Sequence, residues 1–127
     1  VVDNHSIAIV SKTELKKIGP ELFFINLGGY KQNEFEEYHY KILSVGDTLA
    51  EVTKKAKKST FYKHVGFKGA TSHIDDKYGI DIDDIYRVKD ILNSDYKEKY
   101  ELKISKNSTL LEEDKLHIGY LKLDRLK

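Results

Sequence analysis

Apolar residues recur at every second position in several short stretches of this chain, and at helical spacing in one. SIAIV (6–10) is a β-prone run, followed by the polar connector SKTELKKIGP, which ends in the only proline, Pro20. ELFFINLGGY (21–30) is apolar on both faces, as a central strand is, and Gly28-Gly29 is expected to stop it. In EYHYKILSVG (37–46), Tyr38, Tyr40 and Ile42 alternate with Glu37, His39 and Lys41, the pattern of a half-buried strand. Strand, loop and strand in succession predict a hairpin.

Asp47 or Thr48 can cap a helix through TLAEVTKKAKKST. At about 100° per residue, Leu49, Val52 and Ala56 share one stripe, with Lys54, Lys57 and Lys58 opposite. Phe61 would fall among the lysines, so the helix is expected to end or bend near Thr60. Beyond it, IDDIYRVKDIL (82–92) resumes strand character, Asn93-Ser94-Asp95 signals a turn, and YELKI (100–104) alternates cleanly. NSTLLEEDK holds room for one helical turn, and LHIGYLKL (116–123) reads as a final strand with Gly119 in its middle. The order predicts an α+β fold, a mainly antiparallel sheet with one main amphipathic helix, about 47–60, covering one face.

Composition narrows the function classes. A chain of 127 residues, 39% hydrophobic and 34% charged, reads as a single soluble domain over 1–127. It holds no run approaching the ~18 apolar residues of a membrane span. The absence of cysteine removes disulfides, thiol nucleophiles and thiolate metal sites, and fits a reducing compartment such as the cytoplasm. Methionine is absent too, so the sequence is expected to be a piece of something longer. A net charge of +1 makes no global case for nucleic acid or membrane.

Candidate chemistry concentrates in HIDDKYGIDIDD (73–84), with one histidine and five aspartates in twelve positions. It fits an EF-hand loop poorly, because counting from Asp75 places Lys77 and Gly79 at ligand positions and brings no glutamate near the end. His73, Asp75, Asp76, Asp81, Asp83 and Asp84 could still attract a divalent cation, since clustered carboxylates repel one another. The simpler reading is a solvated chain reversal, which aspartate and glycine favour. Glu37 and His39, two apart on a strand, share a face at about 6.5–7 Å, so the glutamate could orient the imidazole as a base. The plainer alternative is a polar sheet face. Lys54, Lys57 and Lys58, with Lys55, Lys63 and Lys68 and nearby Phe61, Tyr62 and Phe67, could hold a nucleic-acid backbone non-specifically. Lysine is equally the ordinary occupant of an exposed helix face, and arginine occurs only twice, so nucleic acid is disfavoured.

Together, ELFFINLGGY, EEYHYKILSVG, AKKSTFYKH, GATSHIDDKYGIDIDDIYRVKDIL and LHIGYLKL resemble the bacterial domain-of-unknown-function family fifteen forty-three. The likeness covers about residues 20 to 123 and is to the second copy of a usually tandem domain. It implies that Glu37 with His39, and His73 with Asp75 and Asp76, are signature positions. It also implies that residues 1–12 are the closing strand of a missing upstream copy. The family brings no activity and no cofactor. The expectation is therefore a cytoplasmic binding or interaction module without catalysis, and an uncovered sheet edge makes a homodimer a reasonable partner arrangement. The rivals are a divalent-metal-assisted hydrolase built on the acidic segment, with Glu37–His39 as base, and weak nucleic-acid binding by the lysine patch.

Overall fold

The computed structural model describes residues 1–13, 18–30, 35–65, 81–117 and 119–125. The chain is α+β, with five antiparallel strands and one long helix among the described residues. The strands form two sheets, where the sequence predicted one. In the three-stranded sheet, β2 (Glu21–Tyr30) lies between β3 (Glu37–Gly46) and β4 (Asp81–Arg87). In the two-stranded sheet, β1 (His5–Ser11) pairs with β5 (Tyr100–Lys106). The predicted hairpin is present as β2–β3, in register from Glu21–Gly46 to Tyr30–Glu37.

Strand β2 runs straight through Gly28 and Gly29 and does not stop there. Gly28 pairs with His39 on one side and Asp81 on the other, so the ladder holds a backbone that offers no side chain to pack. Phe23, Ile25 and Leu27 are fully buried on one face of β2 and meet Val52 and Ala56 of α1 (Leu49–Val65). Tyr40, Ile42, Ile82 and Ile85 pack around this cluster. Burial of each large side chain contributes about 1.5–3 kcal/mol.

Thr48 caps α1: its Oγ1 accepts from the Glu51 amide at 3.2 Å, while the Glu51 carboxylate accepts from the Asp47 amide at 3.1 Å. Gly46 lets the helix close on the sheet, since a Cβ there would stand 2.6 Å from Val52 Cγ1. The stripe is narrower than the periodicity predicts, because Leu49 remains exposed. The helix also continues past Thr60 to Val65.

The region 82–92 is not one strand. Its ladder with β2 ends at the Phe23–Arg87 pair, where the Glu21 carboxylate accepts from Arg87 Nε at 2.7 Å and also from Lys89 Nζ. The chain then turns into α2 (Val88–Ile91). Asn93 opens no simple turn but caps α3 (Ser94–Lys99), its Oδ1 accepting from the Asp95 amide at 2.9 Å. No helix forms over 107–115, and the described residues of 116–122 form neither strand nor helix before a 3₁₀ turn at Leu123–Arg125. Apolar alternation makes a strand only where a ladder partner exists, and none is present for this segment among the described residues. No described helix is long and apolar enough to cross a membrane.

Candidate metal centre

The site grows from an irregularity in β4. Ile85 pairs with Ile25 and Ile82 with Leu27, both on the core side of the sheet, yet these isoleucines are three residues apart. A regular strand would send them to opposite faces. The ladder accordingly shifts by one residue between Asn26 and Leu27. Asp84 pairs with Asn26, and Asp83 is the extra residue, a β-bulge re-aimed toward the face away from α1.

On that face, His39 stands in register with Gly28, with Glu37 two residues before it on β3. The Asp83 carboxylate reaches across Gly28 from the opposite side, and His39 Nδ1–H donates to Asp83 Oδ2 at 2.8 Å. A carboxylate can only accept here, so in the neutral imidazole the acceptor lone pair sits on Nε2. Nε2 lies 3.9 Å from Glu37 Oε2. One ligand atom from each of Glu37, His39 and Asp83 falls within 4.8 Å of the others. Donors around a single ion at about 2.0–2.2 Å lie roughly 3–4 Å apart, so small adjustments would close the set on a cation. Gly28 makes the approach feasible: a Cβ there would stand 2.9 Å from both Asp83 carboxylate oxygens and from Glu37 Oε1. With no side chain on the central strand, carboxylates from both neighbouring strands share one trough.

The trough is open. The side chains of His39, Glu37 and Asp83 are 46%, 44% and 34% exposed. A cleft of about 680 Å³ lies elsewhere, between β5 and the start of β2, and none of the three residues lines it.

The other sequence-predicted residues divide. Asp81, Asp83 and Asp84 belong to β4 and not to a solvated reversal: Asp81 and Asp84 pair with β2, and Asp83 is the bulge between them. Asp84 takes bonds from Asn26 Nδ2 at 3.3 Å and Tyr86 Oη at 3.2 Å and stays out of the trough cluster. His73, Asp75 and Asp76 lie outside the described residues. Lys54 and Lys58 are exposed on α1 and Lys57 is half-buried. Lys55 is drawn off to the Asp3 carboxylate at 3.2 Å and the Val45 carbonyl at 2.8 Å, which thins the basic face. Gly28, read from sequence as a strand end, and the placement of Asp83 were not foreseen. The isoleucine spacing carried the signal for the second. No family model, no curated protein and no solved structure matches this chain.

Proposed function

We propose that this domain is a binding module that takes a divalent cation in the Glu37–His39–Asp83 trough. The supporting observation is the convergence of three donors from two strands over a glycine whose missing side chain leaves them the space. One imidazole and two carboxylates suit the borderline ions, Mn²⁺, Fe²⁺ and Zn²⁺, better than Ca²⁺, which prefers six to eight oxygens. His39 Nε2 and Glu37 would ligate, and Asp83, already on Nδ1, would fix the imidazole or complete the set. The same hydrogen bond would suit His39 to act as a general base, the hydrolase alternative. Side chains exposed by a third to a half do not exclude water, which weighs toward binding over catalysis.

The resemblance to family fifteen forty-three belongs to the same proposal, with Glu37 and His39 as signature positions. The resemblance would make the protein bacterial, and a cysteine-free composition fits a reducing compartment such as the cytoplasm.

Thermal unfolding with millimolar Mn²⁺, Zn²⁺, Mg²⁺ and Ca²⁺ tests the cation reading. A site filled at a hundred times its Kd adds about 2.7 kcal/mol of stability, readily seen as a rise in Tm. We expect the rise with Mn²⁺ or Zn²⁺ and its loss in His39→Ala and Asp83→Asn. Unchanged melting with all four ions would refute the proposal. Ester or phosphoester turnover that needs the ion and His39 would favour the hydrolase.

A further inference from the structure

The outer face of the three-stranded sheet continues past the trough. Side chains two apart on a strand share a face, and residues in register stand side by side across the ladder. Lys41 follows His39 on β3 and is in register with Asn26, while Leu43 comes next and is in register with Phe24. Tyr86 of β4 is in register with Phe24 from the other side. The face is therefore laid out in rows, with the cation donors first, Lys41 next, and then an apolar floor of Leu43, Phe24 and Tyr86.

Lys41 is exposed, and the carboxylate in its row does not neutralise it. Asp84 lies two strands away, about 9–10 Å, and is held there by Asn26 Nδ2 at 3.3 Å and Tyr86 Oη at 3.2 Å. Leu43 and Phe24 are half-buried and Tyr86 is 44% exposed, so the floor meets solvent. Three protein donors leave an octahedral ion with open positions, and in an open trough these point outward. Successive rows are about 6.5–7 Å apart, a gap that a phosphate on the ion and a long lysine side chain can close together.

We infer that the ion-loaded trough binds a phosphate monoester with an apolar body. One phosphate oxygen sits on the ion, a second accepts from Lys41 Nζ, and the body lies over Leu43 and Phe24. This rests on the cation reading and names the ligand that the bound ion takes. A phosphate brings nearly two negative charges and three acceptor oxygens, where a carboxylate brings one charge and two oxygens. Charge also sets the order of binding. Glu37, Asp83 and Asp84 outweigh Lys41, so the empty face repels anions. A divalent ion offsets those carboxylates, and the ester then binds second. By linkage, the ester tightens the ion by the same factor.

Titration calorimetry of the whole chain with Mn²⁺, and then with phenyl phosphate, tests this. Inorganic phosphate and benzoate serve as comparisons, and Lys41→Gln as the variant. Glutamine removes the charge at a surface position outside the donor set, so the variant folds and takes up Mn²⁺. Phenyl phosphate is expected to bind the Mn²⁺-loaded protein at least ~10-fold more tightly than the metal-free protein. Lys41→Gln should weaken it at least ~10-fold, as should loss of the body in inorganic phosphate or of the second charge in benzoate. A protein that takes up no Mn²⁺ would overturn the cation reading and this inference with it. Normal Mn²⁺ uptake would leave the cation reading standing, and the ester would then be overturned by any of three results: no phenyl phosphate binding, binding indifferent to Mn²⁺ or to Lys41→Gln, or equal affinity for either comparison anion.

Discussion

Gly28 shows how one missing side chain can define a site. Its backbone is paired on both sides, so it contributes to the ladder as any residue would. Its value lies in the volume it leaves between Glu37 and Asp83. An alanine there would bring Cβ within 2.9 Å of three carboxylate oxygens, contacts too close to persist. Those oxygens end flexible side chains, so they would swing outward and the backbone would stay. Alanine also suits a strand better than glycine, by roughly 0.5–1 kcal/mol. Gly28→Ala should therefore keep the stability of the parent within about 1 kcal/mol in urea melts. Titration calorimetry should show cation affinity reduced at least ~10-fold, about 1.4 kcal/mol. Undiminished affinity would put the ion at another location.

At the level of elements, the trough depends on one surplus residue in β4. Ile82-Asp83-Asp84-Ile85 can bury both isoleucines only if the strand absorbs a residue, and the bulge turns Asp83 over Gly28 as a by-product. Removing one aspartate of the pair would leave Ile-Asp-Ile, a regular strand with both isoleucines inward and the remaining aspartate opposite Asn26. That deletion should fold with stability within ~1 kcal/mol of the parent, because neither core side chain is lost. It should bind no cation at the trough. A collapse of stability would mean that the bulge is structural and the site incidental. Legibility in the sequence follows the same physics. Period-two alternation exposed β2 and β3, and with them the shared face of Glu37 and His39, because local pattern determines local facing. The partner from β4 was legible only in part: strand character was expected from residue 82, but the aspartates were read as a solvated reversal, and the bulge that turns Asp83 over Gly28 shows only in the pairing with β2. LHIGYLKL erred the other way, as a strand-like pattern with no ladder partner in the described chain.

At the scale of the molecule, the two sheets are coupled by the turn that precedes β1. Asp3 and Asn4 both adopt left-handed backbone, with φ of 48° and 57°, and Val2 and His5 bond across them in both directions at 3.0 and 2.9 Å. Aspartate and asparagine tolerate this conformation better than most residues. Asn4 ties the turn to the C-terminal segment, accepting from the Leu111 amide at 3.0 Å. Asp3 ties it to the other sheet: Oδ2 accepts from Ser44 Oγ and the Val45 amide, both at 2.8 Å, and from Lys55 Nζ at 3.2 Å. Burial alone would push its pKa up, but the Val45 amide, the Ser44 hydroxyl and the Lys55 ammonium outweigh it, and the pKa ends below the ordinary value. The unfolded chain, titrating near 3.9, then holds more protons than the native one between the two values, so stability rises with pH there. Asp3 thus stabilises the native state fully above about pH 4–5, and the contribution disappears as pH falls through the lowered native pKa. Asp3→Asn should lower stability by about 1–2 kcal/mol at pH 7, a figure reduced for the partial exposure of the pair. The gap should narrow below about pH 4 and close in stronger acid. Glu21, whose pKa is lowered by Lys89 and Arg87, gives both proteins a residual slope of the same sign. Urea unfolding followed by tyrosine fluorescence at stepped pH measures the difference directly. A gap that persists undiminished at pH ~2.5 would show that Asp3 acts through shape and not through its charge.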